Sequence, residues 1–307
     1  MKDINECRER LRGIFNITVT PFTASGAIDF PALRENIERV IDLGYDGLLI
    51  GGTYGEFPVM TVEERRELFH EVMGCVDDRV AVMLCSASSD PRDARELTLL
   101  ASELGGLPMV TAPFVSEITD EQIVSYFNEM APLSKTGILV YNAPGIGITL
   151  SPALLERLAE IPNVVGIKQG DLNPTAIDQI ANRLRGRLRL FCASDLAFLG
   201  PMMAGFDGIS TTNSGALPEL IVNTFRAVER GDAATARDLH QLWYAYRALA
   251  RKHGQPQLVK AAMALRGFNG GTVRAPLKPI GDAALAELTR VMQELASDPR
   301  SGVTLAR

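Results

Sequence analysis

Eight short runs rich in valine, isoleucine and leucine recur along the chain, at 14–19, 47–50, 80–84, 107–111, 137–141, 164–168, 188–192 and 207–210. Each is strand-length, and amphipathic stretches separate them. Several of those stretches carry a helix start: Asp29-Phe30-Pro31 pairs a capping carboxylate with an early proline, Thr61-Val62-Glu63-Glu64 and Thr119-Asp120-Glu121-Gln122 have the spacing of a capping box, and Ser151-Pro152 opens a fourth. Regular alternation of strand and helix implies parallel crossovers, hence a doubly wound sheet or a closed barrel. A count of eight, filling about 225 residues, selects the (β/α)₈ TIM barrel. Beyond residue 230 the strand signal stops, and 232–252, 257–267 and 281–296 read as helices. The expected organisation is an α/β barrel over residues 1–230 and a C-terminal helical appendage over 231–307.

Several classes of partner are excluded by composition. The longest apolar runs fall far short of the roughly 20 residues that a bilayer helix requires, so no membrane role is expected. A formal net charge of −6 argues against nucleic acid, whose phosphates need a basic face. The charged N-terminus Met1-Lys2-Asp3-Ile4-Asn5-Glu6 does not read as a leader, and the predicted location is the cytoplasm. Cysteines 7, 75, 85 and 192 lack CxxC spacing, and histidines 70, 240 and 253 lack a ligand pattern, so neither a disulfide nor a metal is predicted.

Catalytic residues of a (β/α)₈ barrel lie where its strands end. The sixth apolar run, Val164-Val165-Gly166-Ile167, ends at Lys168, one of six lysines against 25 arginines. A buried amine at such a place is either paired with a counter-charge or used as a nucleophile, because an isolated buried ammonium costs several kcal/mol. Tyr141 ends the preceding run, 27 residues earlier, or about one strand-helix repeat. Neighbouring parallel strands would bring the phenol and the amine out on one face. The second strand ends in Gly51-Gly52-Thr53-Tyr54-Gly55-Glu56, a glycine-rich turn whose N–H groups and Thr53 hydroxyl suit a carboxylate.

Gly52-Thr53-Tyr54-Gly55-Glu56, Tyr141-Asn142-Ala143-Pro144, Gly166-Ile167-Lys168, Gly208-Ile209-Ser210 and Lys260-Ala261-Ala262-Met263 together resemble the dihydrodipicolinate synthase/N-acetylneuraminate lyase family. The resemblance runs along nearly the whole chain. It implies a homo-oligomeric class I aldolase or lyase in which Lys168 forms a Schiff base with pyruvate or another 2-oxo acid. It further implies Tyr141 as general acid/base, Thr53 as its hydrogen-bond partner, and Gly52, Tyr54 and Ile209 against the substrate. No metal or organic cofactor is required, because the imine is itself the electron sink.

Three departures bear on the substrate. Tyr54 replaces the second small hydroxyl residue usual in the family's turn. Ala112-Pro113-Phe114-Val115 stands where relay synthases carry a tyrosine pair, and Ile146 stands where true dihydrodipicolinate synthases hold the second substrate's carboxylate with arginine. These departures predict an apolar acceptor pocket around Ile146 and Phe114, with Phe57 and Val115 adding to it, and a role other than lysine biosynthesis. The alternatives are a 2-oxo-3-deoxy sugar acid dehydratase or hydratase-aldolase using the same imine, and a catalytically silent binder of 2-oxo acids.

Overall fold

A computed structural model describes residues 3–306. Eight parallel strands, β1 (Gly13–Ile17), β2 (Gly47–Ile50), β3 (Ala81–Cys85), β4 (Leu107–Thr111), β5 (Ile138–Asn142), β6 (Val164–Gln169), β7 (Arg189–Cys192) and β8 (Gly208–Thr211), close into a barrel in chain order. The predicted (β/α)₈ fold is therefore the observed one, with each strand within two residues of its expected place. Asp29, Thr61, Thr119 and Ser151 all accept backbone N–H groups of the helices they precede, and Thr61 and Thr119 complete capping boxes with Glu64 and Gln122. These caps satisfy donors that a helix start otherwise leaves open.

Side-chain parity divides the core into layers. Phe15, Leu49, Met83, Met109, Leu139, Tyr141 and Phe191 fill the barrel interior, whereas residues such as Ile14, Leu48, Val110 and Ile167 pack outward under the helices. Phe15 and Phe191 meet edge to face, with ring centroids 4.9 Å apart. Their ladder partners are Gly47 and Gly208, and a β-carbon there would stand 2.4 and 2.8 Å from the respective rings. Two large rings thus fit a narrow barrel only because glycine faces each of them.

The C-terminal region differs from its sequence reading at one point. The stretch 232–252 is two helices, Ala233–Leu242 and Tyr244–His253, broken at Trp243 (φ −100°, ψ 22°). The bend admits the Trp243 indole, edge-on to His240, and the Tyr246 ring to the same core, where both are fully buried. Helices Gln257–Leu265 and Asp282–Ser297 complete the region. Leu258, Val259, Met263 and Leu288 share one apolar cluster with Ile209, Leu217 and Phe225, so these helices are seated on the barrel wall. Two ion pairs reinforce that seat: Lys260 with Glu56 at 2.5 Å, and Arg266 with both carboxylate oxygens of Glu219 at 2.7 and 3.0 Å. No helix among the described residues is long and apolar enough to cross a membrane.

Candidate active site

The site begins with ladder register. Tyr141 is the direct partner of Lys168, and Thr111 and Phe191 extend the row on either side. All four face inward at the C-terminal mouth. Lys168 is 3% exposed, and its Nζ stands 3.7 Å from the Tyr141 ring centroid. It makes no ion pair among the described residues, whereas the other deeply buried lysine, Lys260, is paired. Cys85 and Cys192 flank it. Burial raises both thiols, Cys192 to about 12, and the nearby Lys168 charge opposes the rise only weakly.

The strand ends are held by amides. Asn142 Nδ2 donates to Leu150 O and to Gln169 Oε1, its Oδ1 accepts from Leu150 N, and Gln169 Nε2 donates to Asp171 O. These bonds pin the residues directly after Tyr141 and Lys168. A polar network this buried orients side chains as long as every member is satisfied.

The β2 turn closes a third side. Residues Thr53–Gly55 form a 3₁₀ turn in which Gly55, Glu56 and Phe57 donate to Gly52 O. The leading N–H groups, those of Thr53 and Tyr54, have no partner within such a turn and can meet an anion. Thr53 Oγ1 lies 3.3 Å from the Tyr141 hydroxyl. Glu56 takes a left-handed conformation, φ 79°, which sends its carboxylate inward to Lys260; Lys260 also donates to Thr20 O and Thr272 O. The turn is therefore tied to the appendage by a buried pair.

Over these residues lies a cavity of about 300 Å³, lined by Thr53, Tyr54, Tyr141, Pro144, Gly145 and Gly170, by Ser194, Asp195, Ser210, Thr212, Arg251 and Gln255, and by the apolar Ile17, Leu172, Ala193 and Leu196. Lys168 does not itself line it; its amine lies against the Tyr141 ring, which does. A wider groove of about 790 Å³ runs along the outer faces of the helices Phe30–Asp42 and Val62–Val76, far from the strand ends, with Arg34 and Arg66 paired to Glu71 and Glu96.

The predicted substrate-side residues are placed unevenly. Gly52 and Thr53 stand in the turn, and Tyr54 is 37% exposed at the cavity, its phenol raised first by burial and further by Tyr141 and Asp195. Ile209 projects outward into the helix layer and does not line the cavity. Ile146 and Phe114 are half-buried and pack against the inner cluster that holds Tyr141, Ala143 and Phe57, and neither lines the cavity. Phe57 is buried beneath the Arg65 guanidinium, and Val115 is 54% exposed.

Asp195, Arg251 and Gln255 were not singled out from the sequence. Asp195 ends the seventh repeat and was open to the same strand-end reasoning; Arg251 and Gln255 come from the appendage and carry no local signal. The Asp195 carboxylate accepts hydrogen bonds from the Thr211 hydroxyl and from Asn213 N and Nδ2. Burial raises its pKa, and those bonds oppose the rise. Behind it, Arg247 donates to Leu196 O and His240 O and lies 3.2 Å from His240 Nε2.

The Dihydrodipicolinate synthetase family model matches residues 10–295. The 4-hydroxy-tetrahydrodipicolinate synthase of Thermosynechococcus vestitus is 31% identical over 290 residues, covering 92% of this chain and 96% of that protein. That of Bacillus velezensis is 29% identical over 279 residues, covering 90% and 96%. The crystal structure of YagE, an E. coli prophage protein of the dihydrodipicolinic acid synthase family in complex with pyruvate, aligns with a TM-score of 0.87 at 27% identity, covering 92% of this chain and 98% of that one. Matched over most of its length in sequence and in fold, the chain belongs to the dihydrodipicolinate synthetase family of class I, pyruvate-dependent lyases.

Proposed function

We propose that Lys168 is the Schiff-base amine of a lyase or aldolase acting on pyruvate or a longer 2-oxo acid, with Tyr141 as its general acid/base. The observation that carries this reading is the buried, unpaired Lys168 amine 3.7 Å from the Tyr141 ring, with the Tyr141 hydroxyl 3.3 Å from Thr53 Oγ1. The amine adds to the C2 carbonyl, and the carbinolamine loses water to give a protonated imine. Tyr141 removes a proton from C3, leaving an enamine that attacks an aldehyde, and returns that proton to the new alkoxide; water then hydrolyses the imine and frees Lys168, and the reverse sequence cleaves the bond. The Thr53 hydroxyl, 3.3 Å from the phenol oxygen, orients it. Gly52, the Thr53–Tyr54 N–H groups and the Ile209 backbone hold the 2-oxo acid's carboxylate.

Dehydration of a 2-oxo-3-deoxy sugar acid by the same imine is the second reading. It is favoured by Ser194, Ser210 and Thr212 along the cavity, which match the hydroxyls of such a chain. Lysine biosynthesis is not the role proposed, because Ile146 stands where the arginine would. We read residues 1–230 as the catalytic barrel and 231–307 as its helical cover, in a cytoplasmic dimer or tetramer.

Borohydride reduction in the presence of pyruvate tests the reading. The peptide holding Lys168 is expected to gain the mass of reduced pyruvate, and Lys168→Arg to abolish both adduct and turnover, since a guanidinium stays charged. No adduct, or one on Lys135 or Lys260 instead, would overturn it.

A further inference from the structure

The helix Tyr244–His253 ends in three basic residues, Arg251, Lys252 and His253. Lys252 Nζ lies 3.0 Å from the Glu287 carboxylate and His253 Nε2 lies 3.5 Å from it. Arg251 has no carboxylate partner among the described residues. It lines the cavity instead, beside Gln255. The other ionisable group with a formal charge in the lining, Asp195, is turned into its own bonds with Thr211 and Asn213. The rim thus presents one uncompensated cation and one neutral amide.

We propose that Arg251, with the Gln255 amide, determines specificity by holding a second carboxylate at the far end of the substrate chain. This rests on the assignment of Lys168 as the imine amine. The substrate class is a 2-oxo diacid: one carboxylate at the Thr53–Tyr54 turn, the carbonyl at Lys168, and the other carboxylate at the rim. A guanidinium and an amide match a singly charged carboxylate with its two acceptor oxygens. A phosphate dianion would be half-neutralised, and the Asp195 carboxylate belongs to the same cavity. An amino-acid tail would set its ammonium against the guanidinium, which disfavours aspartate semialdehyde for a reason independent of Ile146.

Imine-forming probes of one length test this without presuming cleavage or dehydration. The concentrations of 2-oxoadipate and 2-oxohexanoate that half-saturate the borohydride-trapped Lys168 adduct are compared, as are those of the five- and seven-carbon pairs. At the matching length the diacid is expected to half-saturate at a roughly 10- to 100-fold lower concentration, the worth of a charge-assisted hydrogen bond. Arg251→Gln should erase that preference, Arg251→Lys should keep part of it, and the pyruvate adduct should change less than about twofold in both. A wild-type pyruvate adduct without diacid preference at any length overturns this inference alone. So does a preference that survives Arg251→Gln, or tighter trapping of 2-oxo-3-deoxy-6-phosphogluconate than of its unphosphorylated form. Absence of any Lys168 adduct with pyruvate overturns the imine assignment, and this inference with it.

Discussion

Lys168 and Tyr141 are direct ladder partners on β6 and β5, and the amine of one stands 3.7 Å from the ring of the other. The ring shields the amine from the cavity while its hydroxyl reaches Thr53. One side chain thus serves as the wall of the nucleophile and as the proposed proton carrier.

Removing only the Tyr141 hydroxyl separates those duties. Tyr141→Phe keeps the ring against Lys168, so the borohydride adduct and the melting temperature should be nearly unchanged while kcat falls roughly 10²- to 10⁴-fold. Tyr54→Phe is the control, because Tyr54 brings a second phenol to the same cavity. If the Tyr54 variant is the inactive one, the acid/base belongs there.

Glu56 and Lys260 are 2% and 3% exposed and lie 2.5 Å apart. Truncating one partner of such a pair strands the other's charge, at a cost of about 3–5 kcal/mol. Lys260→Met should therefore lower stability by about that amount in urea unfolding, and Glu56→Gln by less, because a neutral amide can still accept from the lysine. Since the pair anchors the turn that carries Thr53, residual folded Lys260→Met should also bind pyruvate more weakly. A loss under about 1 kcal/mol would show that the turn is held by its backbone bonds alone.

His240 gives the fold a pH dependence. Burial, and then the Arg247 charge, hold its pKa down to about 4, against an ordinary 6.5. The Asp195 carbonyl, 3.3 Å from Nε2, opposes this, and Phe198 and Trp243 wall the ring. The unfolded chain binds a proton here first, so stability is complete above pH 6.5 and falls as pH drops toward 4, by about 3 kcal/mol in all. Urea unfolding at pH 7, 5.5 and 4 measures it, and His240→Gln should flatten that slope. An unchanged slope would assign the acid sensitivity to other groups.

With pyruvate as donor, aspartate semialdehyde should be a poorer acceptor than an aldehyde of similar length bearing a hydroxyl and carboxylate but no amine. Its ammonium, on the same carbon as its carboxylate, would stand against the Arg251 guanidinium at the cavity. Competition between the two aldehydes, followed by product analysis, decides the matter; preference for the semialdehyde would restore lysine biosynthesis as the role.

The eight strands, their helix caps and the Lys168–Tyr141 pairing were legible in the sequence because each depends on short-range periodicity. Apolar runs of strand length recur at one-repeat spacing, caps lie within four residues of the N–H groups they satisfy, and a 27-residue offset between equivalent strand ends becomes a ladder partnership once the sheet closes. Tertiary packing decided what the cavity presents. Ile146 and Phe114, read as its apolar lining, pack beside Tyr141, and the Ile209 side chain points outward under the helices. The polar lining is completed by Arg251, delivered by a helix whose direction is set at Trp243, where burial of the indole breaks the expected continuous helix, and by Gln255 just beyond that helix's end. Strand parity is local and survives in a linear string; the rim of a cavity depends on how distant elements are seated on the barrel, and only the closed core determines that.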